Sequence, residues 1–453
     1  MATTPRSPHV EPPAQPVYVI GGGPGGLAVA AALGARGVRA VVLEKSDAVG
    51  ASWRTHYDRL RLHTTRRLSA LPGLGMPRSF GRWVARADVV RYLEKYTEQH
   101  ELEVVTGVEV FRVERVGTEW ILHATGGRRL TARAVVVATG YNHTPRIPDW
   151  PGLAEYAGGD AGASGGGAET DAAAVTDAAA VTDSPAETGG GAETGAAADG
   201  SAVAVVADPE APVAPSGTPR LVHAREYRNP EPYRGKDVLV VGAGNTGAEI
   251  AADLAGGGAA RVRLAIRTVP HIVRRTTAGW PAQRTGILVR RLPVPLVDRM
   301  GGLMARFAVP DLSAYGLPRP TTGLATRQRQ GAVPVQDVGL IDAVRAGTVE
   351  IVAAVDGFDA GEVLLADGTR VAPDSVIAAT GYRRGLEPLL GHLDVLDATG
   401  RPVVHGARTA RSAPGLYFTG FTNPISGMFR ELALDAERIA RRISKTKPHP
   451  ATT

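Results

Sequence analysis

A doubly wound α/β fold built from two similar β-α-β units is what this sequence predicts, and three features point to it. Short apolar runs alternate with helical stretches. A glycine-rich turn follows a strand and opens a helix twice, at 21–26 and 242–247. An Ala-Thr-Gly-Tyr tetrapeptide closes an apolar run twice, at 138–141 and 379–382.

In the first unit, VYVI (17–20) is a strand ending in Gly. GLAVAAALGARG (26–37) is a helix of small residues stopped by a glycine cap, and AVVLE (40–44) is the next buried strand. Helical spacing at 88–99 makes Asp88 a candidate N-cap. Alternating runs at 102–113 and 119–124 then lead to AVVVATG (134–140). The pattern restarts with KDVLVVGAGNTGAEIAADLAGGGAARVRLAIRT (236–268), and 362–382 echoes 128–141. Between the units, residues 157–218 repeat AAAVTD and GGGAET and carry ten acids with no Lys or Arg. Too few large apolar side chains are present there to offset the entropy of ordering, so a disordered surface loop is expected. That loop carries −10, leaving +16 on the rest of a chain whose formal charge is +6.

Composition narrows the function. The chain has 453 residues, 43% hydrophobic, enough for two sizeable domains. It contains no Cys, which removes disulfides, thiolate nucleophiles and redox dithiols. No basic stripe interleaves with aromatics, no apolar run approaches a membrane span, and no signal-peptide pattern opens the chain. Nucleic-acid and membrane partners are therefore not expected, and the expected location is cytoplasmic.

The two turns carry the chemistry. Gly21, Gly23 and Gly26 satisfy G-x-G-x-x-G between strand and helix: one glycine for the tight turn, one for backbone approach to a pyrophosphate, one for close helix packing. Glu44 ends the following strand, where an acid can bond ribose hydroxyls. Gly242, Gly244 and Gly247 repeat the motif, with Asn245 and Thr246 inside it. There Arg267 stands where the first unit has Glu44. An acid repels a 2′-phosphate and an arginine pairs with one, so the first site should take a cofactor with a free ribose and the second NADPH. Two such sites suggest a resident flavin, FAD, reduced by a nicotinamide. Thr139, Gly140, Thr380, Gly381 and Tyr382, on the two tetrapeptide returns, should lie beside the cofactors. Nine arginines gather between 261 and 299, and they read as a solvated face or as contacts to NADPH or substrate.

With these motifs in place the chain resembles the flavin-containing monooxygenases, the group that includes the plant YUCCA enzymes and relatives of the Baeyer-Villiger monooxygenases. The resemblance rests on GGGPGG, VLEKSDAVGASWRTHYDRLRLHT, VVATGYNHTPRIPDWPG, VVGAGNTGAEIA, IRTVPHIVRR, IAATGY and GLYFTGFTNPISG, the last supplying Gly420. The family signature runs from an aromatic to Gly, His and a second aromatic. Tyr156 and Gly158 match its first half and His223 and Tyr227 its second, with the acidic insert between them. The resemblance implies that Ser52, Trp53 and Arg54 line the flavin's ribose and pyrophosphate side. It also implies that Leu62, His63 and Thr64 lie by the isoalloxazine, His63 or Thr64 standing where some relatives carry a catalytic Asn. His223 and Tyr227 would belong to the cofactor-binding set.

The implied function is FAD- and NADPH-dependent monooxygenation. NADPH reduces the flavin, O₂ adds to give a C4a-(hydro)peroxide, and one oxygen passes to a small organic substrate at an N, S or carbonyl centre such as an α-keto acid. A terminal Tyr in the signature favours the non-Baeyer-Villiger branch. An NADPH-dependent flavin reductase or oxidase feeding a partner, and a Baeyer-Villiger enzyme, stay open; a homodimer is also left open, and no metal is called for. The expected organisation is a disordered N-terminus (1–15), an FAD-binding part (16–156), the insert (157–218), an NADPH-binding domain (219–330), a second FAD-binding part (331–445) and a disordered tail (446–453).

Overall fold

The computed structural model describes residues 15–142, 144–158, 220–277, 279–289, 292–424 and 426–446. The expectations for the N-terminus, the insert and the tail fall almost wholly outside these residues.

From the N-terminus, β1 (Val17–Ile20) leads into α1 (Pro24–Gly34) and β2 (Ala40–Leu43). Then come α2 (Arg86–Gln99), β3 (Glu103–Val105), an antiparallel meander (Val110–Val116, Glu119–Ala124, Arg128–Ala132) and β4 (Ala134–Val137). The second unit contains β5 (Leu221–His223), β6 (Asp237–Val241), α3 (Asn245–Gly256), β7 (Arg261–Ile266), α4 (Val294–Ala308) and β8 (Glu350–Ala353). A second meander (Val355–Asp359, Glu362–Leu365, Arg370–Val371) runs into β9 (Ser375–Ala378). The chain ends in β10 (Leu416–Phe418) and α5 (Met428–Lys445).

Two five-stranded sheets result, in the orders β3-β2-β1-β4-β10 and β8-β7-β6-β9-β5, every pairing parallel. The central strands read VYVI, AVVL, AVVV and DVLVV because a parallel sheet is covered on both faces and its interior wants continuous β-branched residues. Each unit has the same plan. A strand ends in the glycine turn, the returning strand lies on one side of it, and that strand is fed by a meander.

The sheets correct the expected domain boundaries. β8 and β9 lie well beyond residue 330 yet belong to the second sheet, β8 beside β7 and β9 beside β6. At the other end, Tyr156 is buried with Leu239, Val241, Phe358 and Val376, so it packs in the second core and not the first. Leu386, Leu389, Leu390 and Val395 return to the first core. The two chain crossings between the units meet as an antiparallel pair, Tyr382 opposite Pro145 and Arg383 opposite Thr144.

Glycine and alanine dominate α1, and the close approach this permits is filled by α5, which buries Phe429, Leu432, Ala436, Ile439, Ala440 and Ile443. Each of the larger side chains contributes roughly 1.5–3 kcal/mol by leaving water. The helix expected at 88–99 starts at Arg86, with Ala85 at its cap. Asp88 sits instead in the first turn, paired with Arg91, where the helix dipole favours a carboxylate.

Candidate active site

The two glycine turns are near copies. Gly21 and Gly242 have φ of +112° and +109°, a conformation open to glycine. A Cβ on Gly21 would lie 2.7 Å from the Ala138 carbonyl oxygen, and one on Gly242 2.6 Å from that of Ala379, so each turn presses against its returning strand. A Cβ on Gly26 would stand 2.0 Å from the Gly21 oxygen, and one on Gly247 1.9 Å from the Gly242 oxygen. Gly23 and Gly244 differ: a Cβ there meets nothing within 4 Å. They cap α1 and α3 with no side-chain hydrogen bond, so the first-turn N–H groups are left for an incoming anion.

Glu44 is buried in the first turn and accepts hydrogen bonds from the backbone N–H groups of Gly22 (2.6 Å) and Ser46 (2.9 Å). Around the same turn the Thr139 and Thr419 hydroxyls are buried without a hydrogen-bond partner among the described residues. Buried hydroxyls normally find partners, so a polar ligand seated in the cradle accounts for both. Thr139 and Gly140 (φ +78°) follow β4, and Thr419 and Gly420 (φ +87°) follow the neighbouring β10. The residues present therefore fit a flavin's nucleotide half. Ser52 is exposed on the short helix Ala51–Arg54, and Trp53 packs edge-on against Phe429 with centroids 5.7 Å apart. The Arg54 guanidinium pairs with Glu94 and donates to the Val49 carbonyl.

The second turn opens on a cleft of about 590 Å³ lined by Gly242, Gly244, Thr380, Gly381 and four basic side chains, Arg146, Arg267, His271 and Arg327. Arg267 is exposed, with no side-chain hydrogen bond or ion pair among the described residues. Two of the candidate residues also bond within the protein. The Asn245 side chain donates to the Pro334 carbonyl and accepts from the Gln336 N–H, and the Thr380 hydroxyl donates to the Arg146 carbonyl. Arg261 and Arg263, from the arginine-rich stretch, pair with Glu350 and Asp237 along the sheet. Arg290 and Arg291 lie outside the described residues.

Both the histidine and the tyrosine of the split signature are bonded within the protein. His223 donates from Nε2 to the Gly381 carbonyl (3.1 Å) and accepts at Nδ1 from the Arg225 N–H (3.1 Å), and its ring meets Tyr382 edge-on at 5.0 Å. Burial pushes its pKa down, in keeping with a neutral ring that fixes the second returning turn. Tyr227 is buried and donates to Asp253 at 2.8 Å, and burial raises its pKa. The halves of the signature do approach each other: the Arg220 guanidinium lies 4.1 Å over the Tyr156 ring, joining the chain on either side of residues 159–219.

Between the units, residues 62–65 meet the second unit. Leu62 is buried, its N–H donating to the Val84 carbonyl at 2.8 Å, and Thr64 shares a 2.7 Å hydrogen bond with Ser69. His63 Nε2 contacts Glu249 on α3. Buried Gln283 accepts from the Thr65 N–H (2.9 Å) and donates to the Ser426 carbonyl (2.8 Å), stapling two loops of the first unit. Glu249, Gln283 and Thr419 escaped sequence reasoning. Only Glu249 left a signal, a carboxylate set between Ala248 and Ile250 on an otherwise apolar, buried helix face.

Fold and site define a protein with two dinucleotide-type cradles, one per unit with a junction between them. Residues 18–158 match the family described as pyridine nucleotide-disulphide oxidoreductase, and 216–392 the one described as flavin-binding monooxygenase-like. The chain is 32% identical over 410 residues to indole-3-pyruvate monooxygenase YUCCA1 of Oryza sativa subsp. japonica, an alignment covering 89% of this chain and 86% of that protein. It is 29% identical to the probable indole-3-pyruvate monooxygenase YUCCA3 of Arabidopsis thaliana, covering 94% and 86%. A flavin-containing monooxygenase from Stenotrophomonas maltophilia has the same fold, with a TM-score of 0.61, 22% identity, and 94% and 98% of the chains covered. The chain belongs to the flavin-containing monooxygenase family, and it is an enzyme, a flavin monooxygenase.

Proposed function

We propose that this enzyme holds FAD at the first glycine turn, takes NADPH at the second, and transfers one atom of O₂ to a small organic substrate. The observation that carries the reading is a pair of matched cradles whose strand ends differ in charge, Glu44 against Arg267. The carboxylate suits a free ribose diol, and the open arginine suits a 2′-phosphate. Bound and reduced, the flavin would supply the activation of O₂. The chain's task is then to seat both nucleotides, fix the second returning turn through His223, and keep water from the junction through Leu62 and the Gln283 staple.

The relatives named as indole-3-pyruvate monooxygenases favour a 2-oxo acid as substrate over an amine or sulfide. The test is anaerobic titration of the yellow protein with NADPH, followed by ¹⁸O₂ turnover on 2-oxo acid, amine, sulfide and ketone panels. The reading predicts bleaching by NADPH and ¹⁸O in the product formed from the 2-oxo acid. A protein that binds no flavin, or consumes NADPH while making only H₂O₂ with every panel, overturns it.

A further inference from the structure

The least expected group in the junction is Glu249. It is a carboxylate only 2% exposed, five residues into the helix that carries the second glycine turn, and it reaches across to the first unit. It shares a hydrogen bond with His63 Nε2, and buried Tyr57 interacts with it electrostatically. Arg275 interacts with it electrostatically while packing 4.9 Å from the Trp83 ring. Arg275 also interacts with Arg59, Arg61 and Asp337, and Arg59 pairs with Asp253. His56, also close, is pushed down to about 4 by burial and by Arg228 and Arg86, so it brings no charge at neutral pH.

A carboxylate can only accept, so the hydrogen on the shared contact belongs to His63 Nε2. That fixes the neutral ring's tautomer and leaves Nδ1 as the atom with a lone pair. Nδ1 has no hydrogen-bond partner among the described residues, and the His63 side chain keeps 20% of its surface exposed. A carboxylate behind an imidazole with its far nitrogen open is the arrangement by which proteins hold a histidine ready to move a proton.

We propose that Glu249 is a positioning residue for His63: it keeps the proton on Nε2 and so presents Nδ1 as a proton-accepting atom at the junction between the two units. The inference rests on the reading that residues 62–65 border the reaction centre. Because Glu249 belongs to α3, Nδ1 is correctly aimed only when the second nucleotide's helix is seated against the first unit. The geometry thus ties proton handling to the placement of the NADPH-binding turn.

The first test needs no cofactor. Histidine-¹⁵N apoprotein, with His63 assigned by its loss in His63→Asn, should show the Nε2-protonated tautomer in the native chain and a mixture of tautomers in Glu249→Gln, which keeps the side chain's shape. In the holoenzyme, Glu249→Gln and His63→Asn should each lower kcat about 10-fold or more while KM for NADPH stays within about 2-fold, and the double variant should be no slower than the slower single one. A native ring protonated on Nδ1, a ring spectrum unchanged in Glu249→Gln, or losses that multiply would each overturn the proposal. Failure of the flavin reading shows separately, as a protein that binds no flavin whatever its histidine tautomer.

Discussion

Gly23→Ala and Gly244→Ala are the same experiment performed on two cradles. Both glycines have extended backbone, φ −83° and ψ −179° at Gly23, φ −80° and ψ −178° at Gly244, so alanine is conformationally allowed at either. In both places the added Cβ meets no protein atom within 4 Å. The expected cost to the apoprotein is only the poorer capping by alanine, about 0.5–1 kcal/mol. The new methyl stands, however, where a phosphate must approach the uncapped N–H groups. Loss of one charge-assisted hydrogen bond there costs about 1.5–3 kcal/mol, or about 10- to 150-fold in dissociation constant. Gly26→Ala and Gly247→Ala are the contrasting controls. Their Cβ atoms would sit 2.0 and 1.9 Å from carbonyl oxygens of their own turns, so the turn must open. The expected loss of stability is about 3 kcal/mol or more.

Guanidinium unfolding of the apoproteins gives the stabilities, visible absorbance after gel filtration gives retained flavin, and titration gives NADPH affinity. Gly23→Ala should fold, lose flavin and still bind NADPH; Gly244→Ala should fold, keep flavin and bind NADPH weakly. Full flavin retention in Gly23→Ala together with unchanged NADPH affinity in Gly244→Ala would refute the assignment of both cradles. Unfolding of Gly23→Ala to the same extent as Gly26→Ala would refute the claim that its Cβ position is free for a ligand.

Arg267→Ala should raise KM for NADPH by about 10-fold or more and leave KM for NADH within about 2-fold, because only the first carries the 2′-phosphate; equal changes in steady-state kinetics would remove Arg267 from that role. His223→Ala leaves the Gly381 carbonyl and the Arg225 N–H without their partner, so a loss of about 2–4 kcal/mol in denaturant unfolding is expected, with weaker NADPH binding following from the loosened turn. An effect on affinity with no change in stability would mark His223 as a direct ligand. His56, lowered to about 4 from 6.5, is neutral in the fold, so its contribution is present above pH 6.5 and is lost as pH falls toward 4. His56→Gln should therefore flatten the acid side of the stability profile in that window by about 3 kcal/mol, and an unchanged slope would contradict its burial as a neutral ring.

Local periodicity is what the sequence expresses well. β1, α1 and β2, and again β6, α3 and β7, announce themselves through apolar runs, a glycine turn and a glycine stop, all within about thirty residues. Pairings across long stretches of chain leave no such trace. Nothing within Glu350–Ala353 says that it will lie beside Arg261–Ile266, so a boundary read from local pattern falls at residue 330, short of this strand. Site roles depend on the same distant pairings. Arg54, Asn245 and His223 stand beside the cradles as their motifs imply, but whether a side chain touches a ligand or holds a loop depends on partners such as Glu94, Pro334 and Gly381 that are distant in sequence. Glu249 and Gln283 are the extreme case, since their contacts exist only once the two units have docked.

The two cradles share strand order, turn geometry and helix cap, so their difference in use must come from the few places where they diverge. Glu44 is buried and already bonded to two backbone N–H groups of its turn, whereas Arg267 is exposed on an open cleft. A ligand entering the first cradle meets a preorganised, enclosed carboxylate and two unpaired buried hydroxyls that remain unsatisfied whenever it leaves. A ligand leaving the second returns Arg267 to water at little cost. That asymmetry fits a cofactor retained through many turnovers at the first site and a hydride donor exchanged at the second. It follows from burial at the strand ends, with no difference in fold required.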